Sequence, residues 1–474
     1  MEPTTTGHAE PRELDGPPTL YGSLYRDVLF PLYEARLRGR STLRHLDELT
    51  RSQWLPTPTL LDQQWQALRR SLEYAEKHVP FYRRRFAEYG VRARDVHAPE
   101  DLLRFPVLTK ADIRTHAAEL VSETFRGRLH QSGTGGSTGA PIRFAYDHAT
   151  YERRVAAATR ADRWAGGELG EKEAHVWGIV FDEAPFKRVK RSLHEAVQRK
   201  KMLCAFDLSE ERLDEVLDSI VRFEPRLVVG YTSPLYHVAR HALAQHRVLP
   251  RPRGVIATAE RLFAHQRETI ERAFGAPVFD RYGCREVMLI ASECERHAGK
   301  HLTVENVFVE IVRGGKLVPA GTPGEVIITD LVNRAMPFIR YKNEDVATLA
   351  EGPCPCGRGL PLLASVEGRV LDMIVGPEGQ VLAGEFFPHL LKEYTGIDRF
   401  QVHQQRDRAI TLRIQPGLGW KDEIAGAIEA RIHEYLGPRA DVRIAVVEEI
   451  PVTAGGKFRV AVSEVPIDFD SVAA

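Results

Sequence analysis

Through the middle of the chain, short apolar segments alternate with helical patterns, and this alternation restricts the folds open to it. Residues 176–181, 227–231, 255–258 and 277–279 read as strands. Residues 213–223 and 266–274 repeat apolar side chains at helical spacing. Such strands are apolar on both faces, as they are when helices cover a largely parallel or mixed sheet. The pattern predicts an α/β fold with ligands held beyond the carboxyl ends of its strands.

The texture changes near residue 369. Residues 400–404, 410–414 and 442–447 read as strands. Ile424, Ile428, Ile432 and Leu436 line one face of a helix stopped by Gly437-Pro438. This predicts a compact α+β unit of about 100 residues. A chain of 474 residues is in any case too long for one ordinary domain. The expected division is a disordered tail over 1–18, a large domain with mixed sheets and flanking helices over 19–367, and a small mobile α+β domain over 368–474. In the large domain, Thr59 reads as the N-cap of a helix carrying Trp65, Leu68, Leu72, Ala75 and Val79, and ended by Pro80. Arg83 to Arg85 read as a solvated helix face, and Thr109 and Asp112 as the start of another helix.

Charge narrows the function classes. Lys+Arg and Asp+Glu balance at 65 each, so nothing global favours nucleic acid or an anionic membrane. No run approaches the roughly 20 apolar residues of a membrane span, and the first residues lack the apolar core of a signal peptide. The five cysteines, an odd number, suit a cytoplasmic protein without structural disulfides.

Ser132-Gly133-Thr134-Gly135-Gly136-Ser137-Thr138-Gly139 is the densest glycine stretch. Glycine allows successive N–H groups to point into one concavity, and the hydroxyls add donors, so the stretch suits phosphate. It lacks the Gly-Lys-Ser/Thr ending of a Walker loop, and Thr138 stands where a dinucleotide loop needs its last glycine. Alone, it reads equally as a flexible surface loop.

Further polar clusters follow at strand ends. Asp280 to Glu286 offers a ring, Tyr282, beside a turn glycine, Gly283, with Glu286 as a carboxylate for Mg²⁺. Asp345 ends Met336-Pro-Phe-Ile-Arg-Tyr-Lys-Asn-Glu-Asp345 and could accept two ribose hydroxyls. Gly455 and Gly456 present Lys457, a compact charge suited to a developing negative centre. Each cluster has a bland reading as an ordinary turn or solvated charge. Their order is more specific. Tyr-Gly-Cys-Arg-Glu-Val (282–287), Ala-Met-Pro-Phe-Ile-Arg-Tyr (335–341), Cys-Pro-Cys-Gly-Arg-Gly-Leu-Pro (354–361) and Gly-Gly-Lys (455–457) together resemble the adenylate-forming superfamily. Within it, the chain is most similar to the phenylacetate–CoA ligase family and its capsular-polysaccharide-biosynthesis branch.

The resemblance implies an ATP-dependent ligase that activates a small carboxylate as acyl-adenylate, releases pyrophosphate and passes the acyl group to an amine, hydroxyl or thiol. By similarity, Ser132 to Gly139 wrap the β- and γ-phosphates, Glu286 holds Mg²⁺ and Asp345 binds the ribose. Tyr282 and Gly283 lie against adenine, which Ala259 and Glu260 flank from the other side. Lys457 bridges carboxylate and α-phosphate, and Arg369 contacts the nucleotide near the hinge. Trp177, Phe181, Tyr231 and Ser233 are the implied walls of the acyl pocket.

The sequence departs from the family at four places. Leu371, followed by Asp372, occupies the hinge position, and Ala140 replaces a loop lysine. Lys342-Asn343-Glu344 alters the turn before Asp345, while Gly376-Pro377-Glu378-Gly379 replaces an Arg-Gly element of many CoA ligases. The last departure turns attention from CoA toward an amine or hydroxyl. The alternatives are an acyl- or aryl-CoA ligase and a non-catalytic nucleotide-binding scaffold.

Cys294, His301, Cys354 and Cys356 form a candidate structural zinc set, with His297 as the competing histidine. His301 is preferred because it begins the next expected strand, and related sequences carry zinc at matching positions. Cys204 and Cys284 are assigned to packing. Neither the acid nor the oligomeric state is legible.

Overall fold

The structure, a computed structural model, describes residues 19–125, 129–133, 142–177, 195–204, 210–369, 373–378, 381–383, 386–391, 394, 396–417, 419–450 and 461–465. The tail expected over 1–18, together with Thr134 to Ala140, Phe181, Leu371, Asp372 and Lys457, lies outside them.

A twelve-stranded mixed sheet organises the large part of the chain. Five strands are parallel: β3 (Glu173–Trp177), β4 (Lys200–Cys204), β5 (Leu227–Tyr231), β6 (Gly254–Thr258) and β7 (Val278–Cys284). Every residue of β5 and β6 is buried, which explains their unbroken apolar runs. Helices Glu210–Phe223, Thr232–Ala244 and Ala264–Phe274 pack Leu217, Ile220, Val238 and Ile270 over them. Register aligns the strand ends: Tyr231 pairs with Thr258, and Thr258 with Arg281.

The antiparallel half adds β8 (Met288–Glu293), β9 (Lys300–Leu302), β10 (Val307–Arg313), β11 (Lys316–Leu317), β12 (Pro323–Asp330), β13 (Tyr341–Leu349) and β14 (Leu362–Arg369). The sheet runs β11-β10-β12-β13-β14-β9-β8-β7-β6-β5-β3-β4. A separate hairpin, β1 (His130–Gly133) with β2 (Arg143–Tyr146), brackets the glycine-rich stretch.

Several expected boundaries change. The first long helix is Thr57–His78, with Pro56 rather than Thr59 at its N-cap, because Pro58 sits pre-organised in its first turn. Pro80 opens the next helix, Pro80–Glu88. Arg83 and Arg84 are exposed on it, while Arg85 is half-buried. Thr109 does cap Lys110–Thr115, in a reciprocal box with Asp112. Strand β3 begins at Glu173, earlier than expected. Strand β7 extends through Cys284, because pairing with β8 carries it past the apolar residues. Its charges are matched there: Lys300 Nζ lies 2.8 Å from Asp280, and Arg281 lies 2.6 Å from Asp162. Asp345 stands within β13, not after it.

The twelve-stranded sheet ends with β14 at Arg369, and two small sheets follow: β15 (Met373–Val375) with β16 (Val381–Ala383), and a four-stranded sheet. The latter orders β19 (Val442–Val446), β18 (Ile410–Pro416), β17 (Ile397–Gln404) and β20 (Ala461–Ser463). Helix Glu423–Leu436 buries Ile428, Ile432 and Leu436 against this sheet and ends at Gly437, whose φ is +83°. Gln404 joins the two sheets, donating to Val375 O at 2.8 Å and accepting from Val375 N at 2.9 Å.

Candidate active site and metal centre

Of the expected site residues, Trp177, Tyr231, Ala259, Glu260, Tyr282 and Gly283 stand at the carboxyl ends of β3, β5, β6 and β7, and Asp345 on β13 joins them through Tyr282. Gly283 lies at the end of β7, where a Cβ would stand 2.1 Å from Met288 O. Only glycine fits that hairpin. Gly283→Ala is expected to destabilise the protein by about 3 kcal/mol, read from denaturant unfolding. Beside it, the hydroxyl of buried Tyr282 donates to Asp345 Oδ2 at 2.8 Å. Asn343 Nδ2 donates to both the Tyr282 hydroxyl and Asp345 Oδ2, each at 2.7 Å. Burial, then the Asp345 charge, pushes the Tyr282 pKa well up, so its hydroxyl stays a donor.

Glu286 is buried in the turn of that hairpin, and Tyr341 on β13 donates to its Oε1 at 2.8 Å. Burial, then Glu286, raises the Tyr341 pKa. Cys284 is also pushed well up, first by burial and then by Glu286, which holds it as an unreactive thiol in keeping with a packing role. On the far side of β13, Asp345 faces Arg369 across the ladder.

The loop after β6 is held at three points. Ala259 takes a left-handed φ of +69°. Glu260 accepts the Ser233 N–H at 2.7 Å through its carboxylate and the Thr232 hydroxyl at 3.2 Å through its carbonyl. Arg261 reaches β14, donating to Glu367 O at 2.8 Å and to its carboxylate at 3.1 Å. The expected adenine loop is therefore tied to the strand that ends at Arg369. Trp177 and Tyr231, at the ends of β3 and β5, bring their rings to 4.5 Å, so these two wall candidates do meet. Ser132 and Gly133 close the β1 side of the hairpin that leads to the glycine-rich stretch.

The sequence reading missed Tyr341, Asn343 and the Arg261–Glu367 pair. Tyr341 and Asn343 stand inside the quoted stretches, and Arg261 directly follows Glu260. Their roles depend on register and on long-range pairing, which no local pattern displays.

The four candidate zinc residues converge, their ligand atoms all lying within 4.8 Å of one another. Cys294 Sγ is 3.7 Å from Cys354 Sγ, and Cys356 Sγ is 3.3 Å from His301 Nε2. Tetrahedral zinc, with bonds of about 2.3 Å to sulfur and about 2.0 Å to nitrogen, would span edges of about 3.8 Å between sulfurs and about 3.5 Å between sulfur and nitrogen. The donor set fits. His301 Nδ1 lies 3.0 Å from Leu360 O, an outer contact that leaves Nε2 facing the cysteines. Burial lowers the His301 pKa to about 4, keeping the ring neutral. Burial raises the Cys356 thiol, but the Arg358 backbone and guanidinium outweigh this and bring it below its usual value. His297 instead pairs with Glu293 at 3.0 Å.

Residues 374–464 match the family model described as the CapK C-terminal domain. A phenylacetate–coenzyme A ligase from Pseudomonas putida is 26% identical over 408 residues, covering 81% of this chain and 90% of that protein. Protein CapK from Staphylococcus aureus is 22% identical over 435 residues, covering 90% and 94%. The chain is a relative of the phenylacetate–coenzyme A ligases and of CapK. A 2-hydroxyisobutyryl-CoA ligase in its postadenylation state has the same fold, with a TM-score of 0.70 at 20% identity over 89% of this chain and 92% of that one. The chain therefore has the fold of the adenylate-forming ligases. Among the described residues, no helix is long and apolar enough to cross a membrane.

Proposed function

We propose that the chain uses ATP and Mg²⁺ to adenylate a small carboxylic acid, releases pyrophosphate, and transfers the acyl group to a thiol, amine or hydroxyl acceptor. One observation carries this reading. Glu286 and Asp345, from distant parts of the chain, stand at the same end of the parallel strands, each held by a tyrosine hydroxyl. One carboxylate suits a divalent cation and the other a ribose.

In the first step, a carboxylate oxygen of the acid attacks the α-phosphorus, and the bond to the β-phosphate oxygen breaks as pyrophosphate leaves. Glu286 would hold Mg²⁺, which supplies positive charge to the phosphates when bound. Asp345 fixes the ribose, while Tyr282, Gly283, Ala259 and Glu260 enclose the base. Ser132 to Gly139 cover the leaving phosphates, Lys457 offsets the charge that grows on the α-phosphate, and Arg369 contacts the nucleotide. Trp177, Phe181, Tyr231 and Ser233 shape the acyl pocket. In the second step, the acceptor attacks the acyl carbon and AMP departs. The Pseudomonas putida relative is named as a coenzyme A ligase, which supports a thiol. Among the alternatives, the Gly376–Gly379 departure favours an amine or hydroxyl. Zinc at Cys294, His301, Cys354 and Cys356 would be structural.

The test is ATP–pyrophosphate exchange across a library of acids. Label should enter ATP only in the presence of a cognate acid. ATP binding without exchange against any acid would replace this reading with the nucleotide-binding scaffold. Supplying CoA or an amine to the formed adenylate then identifies the acceptor.

A further inference from the structure

The pairing of β13 with β12 contains an irregularity at the site. Ile328 pairs with Tyr341, Ile327 with Lys342 and Glu325 with Val346. Val326 on β12 is therefore matched by three residues on β13: Asn343, Glu344 and Asp345. This is a bulge, a device that re-aims side chains. Glu344 adopts a φ of +70° and Arg340, just before the strand, a φ of +51°. Such left-handed geometry is unfavourable for a non-glycine residue and persists only where the surroundings hold it. They do so here. Arg340 pairs with buried Glu310 at 3.0 Å and donates to Phe105 O at 2.6 Å, while Lys110 pairs with Glu344.

Between these two fixed points lie Tyr341 and Asn343. Tyr341 is fully buried, and its hydroxyl goes to Glu286 Oε1. Asn343 is also buried. Its Nδ2 goes to Asp345 Oδ2 and to the Tyr282 hydroxyl, while its Oδ1 accepts the Asp345 N–H at 3.2 Å. Neither residue is placed to touch a ligand in the reading above. Each instead grips one carboxylate of the site from behind.

We propose that the bulged segment Tyr341–Asp345 is the positioning element of the nucleotide site: Tyr341 sets Glu286 for the divalent cation, and Asn343 sets Asp345 for the ribose hydroxyls. This rests on the proposed function and deepens it. Without the tyrosine hydroxyl, Glu286 loses the donor that holds its Oε1. Without the Asn343 amide, Asp345 Oδ2 keeps Tyr282 but loses its second donor and the turn behind it.

The experiment separates the two ligands. Tyr341→Phe, Asn343→Ala, Glu286→Gln and Asp345→Asn are purified, their thermal stability is recorded, and exchange is measured as Mg²⁺ is titrated, with ATP and with 2′-deoxy- and 3′-deoxy-ATP. Tyr341→Phe should raise the Mg²⁺ concentration for half-maximal exchange about tenfold or more. Its preference for ATP over the deoxy analogues should not change. Asn343→Ala should lower that preference about tenfold and leave the Mg²⁺ dependence alone. A uniform loss of rate, with unchanged Mg²⁺ dependence and unchanged nucleotide preference, would make both residues merely structural and overturn the inference. Wild-type Mg²⁺ dependence in Glu286→Gln, or wild-type preference in Asp345→Asn, would instead remove the ligand assignment itself, and the inference with it.

Discussion

Lys457→Ala is expected to lower carboxylate-dependent ATP–pyrophosphate exchange by about 10²- to 10³-fold without moving the melting temperature. The magnitude is that of removing one fixed electrostatic partner from a centre that gains charge only in the transition state. As the acid oxygen approaches, the α-phosphate acquires negative charge that neither substrate carries alone. An ammonium at that point therefore stabilises the transition state more than the ground state. Little in the sequence could replace it. The glycine-rich stretch carries no lysine, with Ala140 before its proline, so Lys457 has no evident substitute there. Its neighbours Gly455 and Gly456 contribute no packing side chains, which is why stability should be spared. Lys457→Arg should recover only part of the loss, because a planar guanidinium spreads the charge that an ammonium concentrates. Acyl transfer from a chemically prepared adenylate should survive in Lys457→Ala, since that step needs no attack at phosphorus. Full exchange activity in the alanine variant would remove Lys457 from the catalytic set.

The parallel half of the large sheet was legible because its strands are buried on both faces. Residues 227–231 and 255–258 therefore stand out as apolar runs, and the strands found there are Leu227–Tyr231 and Gly254–Thr258. Strand β7 was read too short because Asp280 and Arg281 look like the start of a turn. Their partners, Lys300 and Asp162, come from other parts of the chain. The antiparallel strands from β8 to β14 were largely hidden for a related reason. Bulges interrupt β7 against β8, β12 against β13, and β13 against β14, so burial does not follow a clean two-residue alternation.

At the site, Glu286 and Asp345 were legible as the carboxylates of two motifs. What holds them was not. Tyr341 reads as one more aromatic in an apolar run, and Asn343 as a departure from a pattern, until the bulge shows both turned toward carboxylates. His301, fully buried in β9, stands within the cysteine cluster, whereas His297 is paired with Glu293 and rests its ring 4.8 Å from Phe279.

Purified protein is expected to carry about one zinc ion per chain, and Cys354→Ala or His301→Ala to lose that ion together with about 4 kcal/mol or more of stability. The magnitude follows from what the cluster joins. Cys294 follows β8, His301 lies in β9, and Cys354 and Cys356 belong to the turn that leads into β14. That turn is seated on the start of helix Thr57–His78. Gly359 donates to Gln53 O at 2.9 Å and accepts from the Thr57 hydroxyl at 2.9 Å, and a Cβ at Gly359 would lie 1.8 Å from Leu55 O. Arg358 extends the same seat, donating to Glu295 at 2.8 Å with its guanidinium over the rings of Trp54 and Trp164. Without metal, the bonds that tie three strands to a helix start would be lost, leaving Cys294 against Cys354 and Cys356 against His301 and the Arg358 N–H. Metal analysis of the purified chain and of both variants, with calorimetric unfolding of each, tests this. His297→Ala should keep its zinc, which separates the two histidines. A wild-type chain free of zinc yet as stable as its chelator-treated form would reduce the cluster to packed thiols. Because Glu286 precedes β8 and Cys294 follows it, the centre lies at the other end of that strand, and the variants that lose zinc should lose exchange activity only as they unfold, with the Mg²⁺ dependence of the folded fraction unchanged.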